Sequence, residues 1–233
     1  GNGVNFFDTA EMYSIPSREE TYGSTERIIG TWFKKTGKRE EIVLASKIAG
    51  PNPNFGYMRD QLDFSAASLK YALDNSLQRL QTDYLDVYQL HWPERKNNCF
   101  GQRGFKVQED GWEDNIHQVL EALDGFVKEG KIKHVGLSNE TPWGIMRFLE
   151  ESKYRNLPRI KTVQNPYSLL NRLFEVGSSE VCMRENVGLL AYSPLAFGVL
   201  SGKFLTGESH PNARLSLFPQ YSRYSSEQCT QAT

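Results

Sequence analysis

The sequence predicts a parallel α/β fold and, within that class, a (β/α)8 barrel with about six of its eight strands. Three observations carry this. Six short runs of apolar, β-branched and aromatic residues recur along the chain, each followed by a helical pattern or its start. Their cores are largely uncharged, the mark of strands buried on both faces, as parallel sheet requires. No G-x-G-x-x-G follows any strand, so an open doubly wound sheet, the other architecture this alternation allows, would lack its usual dinucleotide fingerprint.

In chain order, Val4 to Phe7 reads as a first strand stopped by Asp8, and a polar loop holding Tyr13 follows. A helix is expected from about Ser24 to Lys35, with Ile28, Ile29, Trp32 and Phe33 on one stripe. Glu41 to Lys47 is the second strand. The loop Gly50 to Tyr57, rich in Pro, Gly and Asn, leads to a helix over about Ser65 to Leu80. Tyr84 to Leu90 is the third strand and runs into His91-Trp92-Pro93. The stretch from about Glu94 to Asp114 has no periodicity; a loop of that length in a compact domain is usually functional, most often a lid. A helix from Ile116 to Lys128 ends at Gly130, a C′ glycine, and His134 to Asn139 is the fourth strand. Thr141-Pro142 opens the next helix as N-cap and first helical residue. Ile160 to Asn165 is the fifth strand, a helix covers about Glu175 to Asn186, and Gly188 to Ser193 is the sixth strand. No linker divides the chain, so residues 1–233 read as one domain. It begins within a strand and closes on a helix start at Ser225-Ser226-Glu227-Gln228, which reads as a domain cut at both ends.

Composition narrows the function classes. At 233 residues, 39% apolar, 24% charged and net charge −1, the chain has no basic excess for nucleic acid. It has no apolar run of membrane-spanning length, so neither nucleic acid nor membrane is expected as a partner. Three scattered cysteines (Cys99, Cys182, Cys229) suit a reducing cytoplasm, and no metal site is readable.

The strand ends carry the chemistry: Asp8, Lys47, His91, Ser138-Asn139, Gln164-Asn165 and Tyr192-Ser193. In a barrel these ends meet around one opening. Each has a bland reading by itself: a rim aromatic for Tyr13, a solvated charge for Lys47, a satisfied core histidine for His91, packing for Tyr192. Together they read differently. A phenol titrates near 10, and a neighbouring ammonium favours its ionised form, while a carboxylate keeps a buried ammonium charged. Tyr13, Lys47 and Asp8 thus read as a tuned proton donor, and a histidine beside them could hold a substrate carbonyl. The run Gly198-Val199-Leu200-Ser201-Gly202-Lys203 is not a P-loop, but its glycines and lysine could admit a pyrophosphate.

Phe7-Asp8-Thr9-Ala10 with Tyr13, Ala45-Ser46-Lys47, Leu90-His91-Trp92-Pro93, Gly136-Leu137-Ser138-Asn139, Gln164-Asn165 and Tyr192-Ser193-Pro194-Leu195 resemble the motifs of the aldo-keto reductases, from Gly3 to about Arg214. Leu80 to Asp86, Asn97-Asn98-Cys99-Phe100-Gly101 and Gln164 to Arg172 most resemble its bacterial Tas-type members. The resemblance implies a (β/α)8 barrel that binds NADP(H) without a Rossmann domain and reduces a small-molecule aldehyde or ketone. Tyr13 would donate the proton, Lys47 and Asp8 would tune it, and His91 would orient the carbonyl. Ser138, Asn139 and Gln164 would hold the carboxamide, and Tyr192 would stack on the nicotinamide. Ser193, Leu195, Gly198, Lys203 and Arg214 would lie along the pyrophosphate and adenosine side. The family's first and eighth strands, with the loop gripping the 2′-phosphate, have no counterpart here. That leaves exposed edges at Val4–Phe7 and Gly188–Tyr192 and an expectation of poor NADPH binding by this chain alone. Two rival readings are a nucleotide-sensing regulatory subunit, like the potassium-channel beta subunits, and an inactive fragment. The channel subunits carry asparagine where this chain has His91, which favours an enzyme.

Overall fold

A computed structural model describes residues 3–98, 100 and 104–233. Cys99 and Gly101 of the loop motif lie outside the described residues. Six parallel strands form one sheet in chain order: β1 (Phe6–Asp8), β2 (Val43–Ile48), β3 (Leu85–Leu90), β4 (Ile132–Ser138), β5 (Ile160–Pro166) and β6 (Gly188–Tyr192). Between them run α1 (Ser24–Thr36), α2 (Ala66–Leu80), α3 (Ile116–Lys128), α4 (Pro142–Arg155) and α5 (Ser178–Arg184), with α6 (Arg214–Leu217) and α7 (Glu227–Gln231) after β6.

The helices cover the outer face of the sheet. Leu69, Leu73 and Leu80 of α2 and Leu120 and Leu123 of α3 pack with Leu44, Ile48, Tyr88, Val135, Leu137 and Val163 in one continuous core. Helix α1 approaches α2 closely at Gly30, where an added Cβ would fall 2.4 Å from the Arg79 carbonyl oxygen. The Thr141 side chain accepts from the Gly144 N–H at 3.2 Å with Pro142 behind it, so α4 starts as its sequence indicates. Gly130 sits at φ +74° after α3 and turns the chain into β4.

The sheet is curled. Side chains of β1 and β5 meet directly, although four strand spacings of about 4.8 Å separate them in a flat sheet. With helices outside and strands in sequential order, this is a partial (β/α)8 barrel. No helix among the described residues is long and apolar enough to cross a membrane.

Several boundaries differ from the sequence reading. Strand β2, expected over Glu41 to Lys47, runs from Val43 to Ile48, because Arg39–Glu41 form a 3-10 turn ahead of it. Pairing begins at Phe6, opposite Val43, rather than at Val4, which is exposed. Strand β3 begins at Leu85 rather than Tyr84. Strand β4 begins at Ile132, opposite Leu85; the flanking Lys131 and Lys133 masked its start. The helix expected from Glu175 is a short 3-10 turn, Leu173–Val176, and then α5, because Gly177 (φ −159°, ψ −38°) leaves helical geometry between them.

Candidate active site

Lys47 is the deepest charged group of the site and is fully buried. It points inward from β2 directly opposite Gln89 on β3. Its Nζ donates to Asp8 Oδ2 at 2.6 Å and to the Thr9 carbonyl at 2.7 Å, so two of its three protons are fixed. Asp8 Oδ1 accepts from Gln89 Nε2 at 3.0 Å and Gln164 Nε2 at 2.9 Å. One carboxylate at the end of β1 thus gathers groups from β2, β3 and β5. Gly136 makes room for this cluster: a Cβ there would lie 2.6 Å from Thr162 Oγ1 and 2.9 Å from Gln89 Cγ.

Tyr13 stands above the cluster. The Lys47 ammonium is 5.0 Å from its ring centroid, and His91 meets the ring edge-on at 5.7 Å. His91 is buried, and its pKa is driven well below the ordinary imidazole value, chiefly by burial and secondly by the Lys47 charge. The imidazole is therefore neutral. Its Nδ1 is enclosed without a hydrogen-bond partner among the described residues. A buried orphan N–H costs more than an orphan lone pair, which favours the proton on Nε2. The His91 carbonyl accepts from Asn139 Nδ2 at 2.9 Å, and Asn139 Oδ1 accepts from the Tyr192 hydroxyl at 2.8 Å. Ser138 donates to the Gln164 carbonyl at 2.9 Å.

These groups line one cavity of about 710 Å³ that extends from Met12, Tyr13 and His91 past Tyr192 and Ser193 to Arg214 and Arg223. Phe100 and Trp92, with ring centroids 5.7 Å apart, form part of the wall beside His91. The predicted residues Tyr13, His91, Ser138, Asn139, Gln164, Tyr192, Ser193 and Arg214 line the cavity, with Lys47 and Asp8 beneath Tyr13. Leu195, Gly198 and Lys203 lie outside its lining. Leu195 is largely exposed, while a Cβ on Gly198 would stand 3.3 Å from Lys203 Nζ.

Among the groups that escaped the sequence reading are Gln89 and Arg223. Gln89 lies in β3 two residues before His91, which directly follows that strand, a spacing of two that could have flagged it. Arg223 lines the far end of the cavity, where both Arg214 and Arg223 lie over the Phe197 ring, at 4.9 and 5.5 Å. Among the described residues neither guanidinium has a carboxylate partner. Nothing local in the sequence around Tyr221-Ser222-Arg223 signals this.

A parallel barrel that collects its ionisable groups at the carboxyl ends of its strands has the architecture of a barrel enzyme. The sequence model of the Aldo/keto reductase family matches residues 1–228, and the chain belongs to that family of oxidoreductases. It is 48% identical to "Protein tas" of Escherichia coli (strain K12) over 99% of its own length and 67% of that protein. It is 39% identical to an "Aldo-keto reductase" of Babesia bovis, over 79% of this chain and 69% of that one. An "Uncharacterized oxidoreductase YrpG" of Bacillus subtilis (strain 168) is 35% identical over 88% of this chain and 57% of that protein.

Proposed function

We propose that the protein is an NADP(H)-dependent reductase of small-molecule aldehydes and ketones, working as one catalytic domain in the cytoplasm. The observation that supports this most is the stack of Asp8, Lys47 and Tyr13 beside a neutral His91 at the mouth of one cavity.

The cavity suits a dinucleotide. It has the volume of a large ligand site, an aromatic wall at Tyr192, amide and hydroxyl groups at Asn139, Gln164 and Ser138, and at its far end two guanidiniums that have no carboxylate partner among the described residues. Ser138, Asn139 and Gln164 would hold the carboxamide and Tyr192 the ring face. Ser193 and Arg214 would take the phosphate side, with Leu195, Gly198 and Lys203 further along. When bound, the reduced cofactor supplies a hydride to the substrate carbonyl.

The chain's own residues handle the proton. Tyr13 carries it and delivers it to the carbonyl oxygen as negative charge develops there. The ammonium of Lys47 stabilises the phenolate left behind. Asp8 and the Thr9 carbonyl hold the buried Lys47 ammonium in position beneath Tyr13. Neutral His91 donates from Nε2 to the carbonyl oxygen, which fixes the substrate without placing a second cation beside Lys47.

Steady-state NADPH oxidation with 4-nitrobenzaldehyde, measured on the full-length protein, tests the reading. Turnover that requires Tyr13 is the expected result. Tight NADPH binding with no turnover on a panel of aldehydes and ketones would favour the regulatory subunit instead.

A further inference from the structure

Glu11 lies between Asp8 and Tyr13, and the proton-donor reading gives it no role. It is nonetheless buried, and Arg59, whose side chain is 6% exposed, is its partner. Glu11 Oε1 accepts from Arg59 at 2.7 Å and from the Ala49 N–H at 2.7 Å. Arg59 donates a second bond to the Ala49 carbonyl at 2.9 Å. The Glu11 N–H donates to the Lys47 carbonyl at 3.1 Å, and the Tyr13 N–H to the Ala10 carbonyl at 3.0 Å. Three segments are sewn together here: the turn carrying Tyr13, the extension of β2 beyond Lys47, and the loop through Arg59.

We propose that Glu11 and Arg59 form a buried clamp that sets where Tyr13 stands over Lys47, and that both are positioning residues for the proton transfer. The inference rests on the reading of Tyr13 as proton donor. Only Met12, itself buried, separates Glu11 from Tyr13, so a shift of the Glu11 carboxylate passes directly into the tyrosine backbone. The clamp also fixes the facing wall of the cavity, because Asn52 and Phe55 lie between Ala49 and Arg59 in the same loop. Stability alone does not account for the pair. Desolvation raises the Glu11 pKa despite the adjacent guanidinium, and buried ion pairs are commonly replaceable by apolar residues without loss of stability. What an apolar pair cannot supply is the directional bond to the Ala49 N–H.

The test compares Glu11→Gln, Arg59→Met and the double variant Glu11→Leu/Arg59→Met, which leaves no unpaired buried charge, with the parent protein. Misplacement of the donor is expected to lower kcat about ten- to a hundredfold while KM for NADPH moves less than about twofold. The deuterium isotope effect on kcat, with NADPH labelled at the transferred position, should rise as the chemical step becomes limiting. Loss of turnover only in proportion to the folded fraction, with isotope effect and KM unchanged, would overturn the clamp. Crystal structures of the variants give a readout independent of turnover: the Tyr13 ring should leave its place 5.0 Å from Lys47 Nζ. A ring that stays there overturns the proposal. Should Tyr13→Phe retain full activity, the proton-donor reading fails, and the ring position alone then decides the clamp.

Discussion

Gln164 donates from Nε2 to Asp8 Oδ1 at 2.9 Å, joining the carboxyl ends of β5 and β1 across the barrel interior. The bond exists only because the sheet curls, and it gives Asp8 its third side-chain donor after Lys47 and Gln89. A carboxylate held on three sides is a fixed part of the wall. Its effect on any reaction runs through Lys47, which it anchors beneath the Tyr13 ring.

Tyr13→Phe removes the proposed proton donor while keeping the ring over Lys47 and against His91. Loss of one positioned acid is expected to cost roughly 10²–10⁴-fold in kcat. NADPH affinity, read by fluorescence titration, should stay within about threefold of the parent, because the hydroxyl acts only in the transition state. A variant within tenfold of parental kcat would remove Tyr13 from the proposed role.

Asp8 and Lys47 should respond unequally to truncation. Asp8→Asn removes the counter-charge and leaves a fully buried ammonium with neutral carbonyl acceptors only, at an expected cost of about 3–5 kcal/mol. Lys47→Met leaves a carboxylate that keeps two amide donors and whose side chain is 30% exposed, so the expected cost is nearer about 1–2 kcal/mol. Urea unfolding of both variants at pH 7 checks the order. Equal losses would mean that water reaches Lys47.

His91 sets a pH dependence of stability. Its folded pKa is depressed, so below the unfolded value of about 6.5 the unfolded chain takes up a proton that the folded chain refuses. Its contribution is complete above that pH and is lost as pH falls, with a slope of at most about 1.4 kcal/mol per pH unit. Unfolding free energies from pH 7 to 5 should therefore fall more steeply for the parent than for His91→Asn. Parallel curves would show that His91 titrates normally. The same variant should lose turnover without losing NADPH affinity, which separates carbonyl binding from cofactor binding.

Much of this site was legible because strand period and position coincide. Lys47, His91, Ser138 and Gln164 end strands whose apolar cores are plain in the sequence, and a parallel barrel brings such ends together whatever their separation along the chain. Gln89 was missed because one amide within Tyr84–Leu90 looks like tolerated polarity until the register sets it beside Lys47. Glu11 and Arg59 were missed because a salt bridge between two loops has no spacing rule. The start of β4 was hidden by the lysines on either side of a buried Ile132. Periodicity reports which residues share a face; it does not report what loops bring to that face.

Arg223 and Lys203 make competing claims on an anionic ligand. The lysine stands in the glycine-bearing turn that the sequence singles out, yet its turn lies outside the lining of the cavity, and its ammonium rests 5.3 Å from the Phe204 ring centroid. Arg223 lines the cavity, and its NH1 is enclosed without a hydrogen-bond partner among the described residues. An enclosed guanidinium nitrogen without an acceptor is costly, and a phosphate oxygen would satisfy it with a charge-assisted bond. Arg223→Met is therefore expected to weaken NADPH binding about tenfold at low salt, the equivalent of about 1.4 kcal/mol. The deficit should shrink above about 0.5 M salt as screening erodes the parental advantage. Lys203→Met should weaken binding less. Fluorescence titration of both variants at two salt concentrations decides between them, and the opposite order would move the phosphate site from the Phe197–Arg214–Arg223 wall to the turn at Gly198.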